Sequence, residues 1–216
     1  MSISANQVIE RSVDSIAKIY AVVIALAIAQ SIQTLIKDPN GSANLRVDIL
    51  YAGAPAFVAF LFTLVPFWHG MNRHLDRCYL EKAGVVAQGA LLFDFSVFFL
   101  EASLLFAAGW SLRMGIVTFY CLGALLATDM VWGYTSHLIH FPGKKSHVLK
   151  WSIINVVAGA LAFGVVEYPF NQKPLVLMAI AIVRSIADYG FCWDFYFPIS
   201  DAGLRQETAG SALNAG

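Results

Sequence analysis

Six stretches of mostly apolar residues decide what this chain can fold into. They run about 14–36, 47–68, 85–108, 113–136, 148–167 and 174–196. Crossing the hydrocarbon core of a bilayer as a helix takes about 20 such residues. Inside lipid every backbone N–H and C=O must find a partner within the chain, so each stretch reads as an α-helix. The fold class that follows is all-α: a polytopic membrane helix bundle with six transmembrane helices. Composition agrees. Only 13% of the 216 residues are charged and mean hydropathy is +0.66, whereas a soluble domain carries about 25% charged residues. Lipid must cover much of this surface.

Turn chemistry separates the stretches. Asp38-Pro39-Asn40-Gly41-Ser42 follows the first. The second continues as a polar helical extension to about residue 80. Gly109 to Arg113 leaves room for only a tight turn. Pro142-Gly143 marks the next loop, Tyr168-Pro169 ends the fifth stretch, and Pro198 stops the sixth. One transmembrane domain over 1–199 and a flexible, small-residue tail over 200–216 are expected. Met1 to Arg11 is polar and lacks the short apolar core of a cleavable signal, so the first stretch reads as a retained helix.

Basic residues set the orientation. Six spans put both ends of the chain on one side. That side carries Arg11, Lys18, Arg73, Arg77, Lys82, Lys144, Lys145, Lys150 and Arg205; the other carries Lys37, Arg46, Arg113 and Lys173. The positive-inside rule therefore predicts the cell inner (plasma) membrane with both termini cytoplasmic. Trp68, Trp132, Trp151 and Trp193 fall near the cytoplasmic ends, where an aromatic belt is expected. Gly123, Ala124, Ala127, Ala158, Gly159, Ala160, Ala162 and Gly164 are expected to let neighbouring helices approach closely. Pro55 and Pro66 are expected to bend the second helix.

Ionisable groups within these stretches are the main functional signal, because a charge at bilayer depth is costly and faces the bundle interior. Asp94, Asp129, Arg184 and Asp188 lie well away from the span ends, and Asn155 lies at a comparable depth. Depth counting puts Asp94 roughly 15 Å from the inner end of its helix. These five form an expected intramembrane polar cluster in the cytoplasmic half. Arg184 and Asp188 stand at i, i+4 and can pair. Two further carboxyls then remain to be protonated, to share the arginine, to be hydrated, or to hold a cation. Glu101 and Gln30 are expected in the outer half, apart from the rest.

All five histidines fall on the predicted cytoplasmic side. His69 and His74 belong to Pro66-Phe67-Trp68-His69-Gly70-Met71-Asn72-Arg73-His74-Leu75-Asp76, and His137 and His140 end the fourth stretch. Imidazole is a common metal ligand. His69, His74, His137 and His140, joined by Asp76, are thus candidates for an iron, zinc or haem site; the alternative is histidines resting among lipid headgroups. No cofactor is firmly implied. Cys78, Cys121 and Cys192 are scattered without metal-site spacing and read as small buried hydrophobes.

The Pro66–Asp76 stretch resembles a segment of uncharacterised bacterial multi-pass membrane proteins, a resemblance that implies no activity. Size and helix count are similar to one repeat of the lysosomal-type potassium channels of bacteria. Their Arg, three residues, Phe-Ser-Asp signature is not met, since Arg11 is followed by Ser12-Val13-Asp14-Ser15-Ile16-Ala17; no filter residues carry over.

Three functions stay open. The acids suit an ion channel or a proton- or cation-coupled transporter with a cytoplasm-facing polar pocket. The short loops suit a membrane subunit or sensor acting through a partner protein. The histidines suit a membrane-embedded metal or haem enzyme, although no nucleophile-plus-base motif, Walker loop or glycine-rich phosphate cradle is visible. The expected partners are the lipid bilayer and either a second copy of the chain or a partner subunit. Zero net charge argues against nucleic acid.

Overall fold

The computed structural model describes residues 5–36, 47–81, 88–142, 144, 146–168 and 171–198. Six long helices dominate: α1 (Ala5–Ile36), α2 (Val47–Leu75), α3 (Gln88–Trp110), α4 (Ile116–His140), α5 (His147–Glu167) and α6 (Lys173–Phe191). A π-turn, Asp76–Leu80, extends α2, and one short turn, α7 (Trp193–Tyr196), follows α6. No strand occurs among the described residues. All six long helices are long and apolar enough to cross a membrane, as the hydropathy pattern requires. The segment 38–42 and the tail 200–216 lie outside the described residues.

The long helices close into a ring in the spatial order α1, α3, α4, α5, α6, α2 and back to α1, with α2 also reaching across to α3 and α4. Large apolar side chains such as Leu26, Leu92, Val131, Phe163 and Val183 point outward. Asp94, Glu101, Asp129, Asn155, Arg184 and Asp188 are all buried inside. The polar groups are therefore enclosed by the ring rather than spread over its outside.

The sixth stretch departs from the single helix expected to residue 196. It breaks at Cys192, and α7 folds across the end of the bundle with Phe195 and Tyr196 buried. Carbonyls released at that end are capped by basic side chains: Lys150 Nζ donates to Phe191 O (2.9 Å) and Arg73 Nε to Phe195 O (3.2 Å). A cation at a helix C-terminus also complements the helix dipole.

Pro55 and Pro66 both lie inside α2. A proline removes the donor that would meet the carbonyl four residues earlier. For Pro66 that carbonyl belongs to Phe62, and Ser185 Oγ of α6 donates to it. One proline thus creates an acceptor that fastens α2 to α6.

Among the described glycines, those that approach a neighbouring helix backbone closely, Gly109 and Gly133, are not among those expected. Gly133 packs against α5 so closely that a Cβ there would lie 2.9 Å from Val148 O, besides striking Ser152 Oγ. Gly123, Gly159 and Gly164 have no atom within 4 Å of such a Cβ. The first two instead line an open apolar cleft between α4, α5 and α6. Gly133→Val is accordingly expected to destabilise the bundle by about 1–3 kcal/mol through overpacking, and Gly159→Val to have little effect. Thermal unfolding of the two variants in detergent checks the contrast.

The aromatic belt also divides. Trp68 and Trp193 are exposed as a belt requires, but Trp132 and Trp151 are buried, 6.1 Å apart and stacked. Their inward direction brings indole N–H groups to the interior, where one of them helps build the site described next.

Candidate functional site

The interior polar groups form two clusters. The first sits at the end of the bundle where α2, the π-turn, α3 and α4 meet, centred on Asp94 of α3. Tyr79 OH donates to Asp94 Oδ2 at 2.7 Å and Trp132 Nε1 to Oδ1 at 2.8 Å. His74 Nε2 lies 3.1 Å and His140 Nε2 3.4 Å from the same Oδ2. Asp94 and His74 are fully buried, and His140 is the least buried of the three.

Local structure explains the convergence. His74 ends α2, and the π-turn that follows winds wider than an α-helix, leaving Cys78 and Tyr79 buried as well. Single π-turns of this kind often accompany functional sites. Cys78 Sγ stands 3.7 Å from His74 Nδ1, a weak contact that orients the ring with Nε2 toward Asp94. Trp132 and His140 lie eight residues apart on α4, so both face the same way. His147, at the start of α5, brings its ring within 6.0 Å of that of His74 and stacks on Phe195.

These donors fit a metal ion. Two imidazole nitrogens and one carboxylate oxygen lie within 4.8 Å of one another. Zinc–ligand bonds of about 2.0–2.2 Å imply tetrahedral ligand–ligand edges of about 3.4 Å. The two edges involving Asp94 Oδ2, 3.1 and 3.4 Å, are close to that. Trp132 on the second carboxylate oxygen and Cys78 on the second nitrogen of His74 supply the outer contacts that hold metal ligands in place.

The second cluster lies deeper, between α4, α5 and α6. Asn155 Nδ2 donates to Asp129 Oδ2, and Arg184 Nε donates to Asn155 Oδ1 at 2.9 Å. Arg184 Nη2 is 3.7 Å from Asp188 Oδ2, which also accepts from Tyr196 OH at 3.0 Å. The guanidinium carbon sits 4.9 Å above the Phe67 ring, a favourable cation–π placement. Burial and the adjacent Asp188 carboxylate raise the Tyr196 phenol, which therefore stays a donor.

The expected site residues distribute as follows. Asp129, Asn155, Arg184 and Asp188 come together, while Asp94 belongs to the histidine cluster. Glu101, expected apart, lines a small cavity with Asp129, Arg184 and Asp188. Among the described residues, the Gln30 side chain bonds along its own helix, to Thr34. Of the four candidate histidines, His74 and His140 converge. His69 instead contacts Tyr189 OH (3.3 Å) and the Tyr196 ring, and His137 contacts Ser146 Oγ (2.8 Å). Asp76 pairs with Arg73 at the surface. Tyr79, Trp132 and His147 were not singled out by spacing; an indole inside an otherwise apolar stretch was the one sequence signal available for Trp132.

No family model matches this chain, and no curated protein or solved structure matches it.

Proposed function

We propose that this chain is a membrane-embedded metalloprotein that holds one divalent transition-metal ion, zinc or ferrous iron, on His74, Asp94 and His140. The observation that carries the reading is the convergence of these three donors from three different helices onto one buried point. Two histidines and one carboxylate suit either metal, and three protein ligands leave coordination positions open. Bound there, the ion would supply Lewis-acid chemistry. Tyr79 and Trp132 would fix the Asp94 carboxylate, and Cys78 the tautomer of His74. The basic-residue count supports placing this end of the bundle at the cytoplasmic face of the inner membrane, where His140 would admit the ion.

Elemental analysis of protein purified in detergent and exchanged with zinc or ferrous iron tests the reading. One tightly held ion per chain is expected in the wild type, and none in His140→Ala. Retention should weaken on acidification, because both imidazoles must be unprotonated to bind. Absence of any retained ion, or full retention in His140→Ala, contradicts it.

A second reading, proton or cation translocation, draws on a different observation: the buried acids of the deeper cluster share one cavity. Its minimal size supports a closed site rather than an open pore.

A further inference from the structure

Four buried atoms without a hydrogen-bond partner belong to residues around one space in the middle of the bundle. They are Glu101 Oε1, Asp188 Oδ1, Arg184 Nη1 and Trp151 Nε1. The residues are 2%, 2%, 5% and 4% exposed. The space measures about 20 Å³; one water needs roughly 10–15 Å³ of room for its centre, and two or more polar partners. Both conditions are met.

Charge sets the second constraint. Glu101, Asp129 and Asp188 are three carboxyls facing a single guanidinium, Arg184. Fully ionised, they would leave uncompensated negative charge buried, which is strongly unfavourable unless it is paired. A bound metal cation is a poor remedy. Asp129 Oδ2 and Asp188 Oδ2 are already occupied by Asn155 and Tyr196. Arg184 stands in the same wall, and the rest of the wall is largely aromatic and apolar.

We infer that this cavity is a proton-binding site, in which Glu101 holds a proton and a trapped water links it to Asp188 and Arg184. Glu101 is the holder because Asp129 and Asp188 each already accept a hydrogen bond from a neighbour. The other titratable groups facing it do not replace it. Tyr20 of α1, whose hydroxyl is also buried without a partner, is a phenol. Asp94 lies two turns away on α3 and is engaged by four groups of its own. Tyr196 of α7 already donates to Asp188. The lining residues of α2, Pro66, Phe67, Gly70 and Met71, do not titrate. This site shares no ligand with the proposed metal centre, so each can fail alone.

Infrared spectra of the protein in lipid nanodiscs, taken in H₂O and D₂O, test the inference. A protonated-carboxyl C=O band that shifts in D₂O is expected at neutral pH, and Glu101→Gln should remove it. No such band, or one unchanged in Glu101→Gln, overturns the assignment. Stability gives an independent readout. Glu101→Gln should match or exceed the wild-type Tm at neutral pH, and its advantage should widen as pH rises from acid, because the wild type must take up a proton to fold once the unfolded carboxyl has ionised. A marked fall in Tm would identify Glu101 as an ionised partner of Arg184 and refute the proposal. On the wild type itself, exchanging choline chloride for sodium chloride should leave Tm unchanged; a saturable sodium-specific rise would assign the cavity to sodium instead.

Discussion

Asp94→Ala is expected to lower stability by about 4 kcal/mol, the largest loss from any single change in the histidine cluster. The carboxylate is the common partner of Tyr79, Trp132, His74 and His140. Its removal takes away the one carboxylate acceptor that those four buried groups share. Each stranded group costs about 1–3 kcal/mol, and loss of one member of a buried charged network about 3–5 kcal/mol in total. Trp132→Phe takes away one of the four bonds and leaves the others, so about 1 kcal/mol is expected. Asp94→Asn should fall between the two, because its amide offers one acceptor oxygen and turns a donor toward groups that also donate. Equilibrium unfolding in mixed micelles, run in the presence of a chelator, measures these differences without any contribution from bound metal. Equal effects of Asp94→Ala and Trp132→Phe would mean that Asp94 is not the hub of the network.

Arg184→Met is expected to cost about 3–5 kcal/mol, for a different reason: it strands charge rather than donors. Arg184 binds Asn155 through Nε and faces Asp188 through Nη2, and Asn155 in turn holds Asp129. Without the guanidinium the acids of the deeper cluster have no cation. Arg184→Lys should recover little. A single ammonium cannot span Asn155 and Asp188 together, and it loses the planar stacking on Phe67. The double variant Arg184→Met/Asp188→Leu should regain much of the loss, since an apolar pair of similar volume is often as stable as a buried ion pair. A double-mutant cycle on these two positions reports the coupling directly. Additive losses would show that the two side chains do not depend on each other.

The bundle was legible in the sequence because lipid imposes a length and a composition on each span, and Asp, Arg and Asn inside such spans stand out against the apolar background. Ring order and side-chain direction were not legible. Asp94 and Asp129 have similar depths by counting, yet they belong to different clusters, because depth does not specify which way a helix is rotated. His69 and His74 illustrate the same limit. Five positions apart on α2, they face different neighbours, and only His74 leads into the π-turn that brings Tyr79 inward. The break at Cys192 depends on Phe195 and Tyr196 burying themselves over the bundle end, a tertiary event that outweighs the helical pattern of the sixth stretch. Small residues misled for a related reason. Gly123 and Gly159 read as contact points, whereas close approaches to a neighbouring helix backbone are made at Gly109 and Gly133.

Cobalt(II) titration followed by visible absorption tests the central claim most directly, because band intensity reports coordination geometry as well as binding. The predicted result is a set of intense d–d bands characteristic of low-coordinate cobalt with nitrogen and oxygen ligands. They should saturate at one ion per chain, disappear on adding zinc, and be absent in Asp94→Ala and in His74→Ala. A pale spectrum like that of the aqueous ion, or intense bands that persist in both variants, would contradict a metal centre on His74, Asp94 and His140.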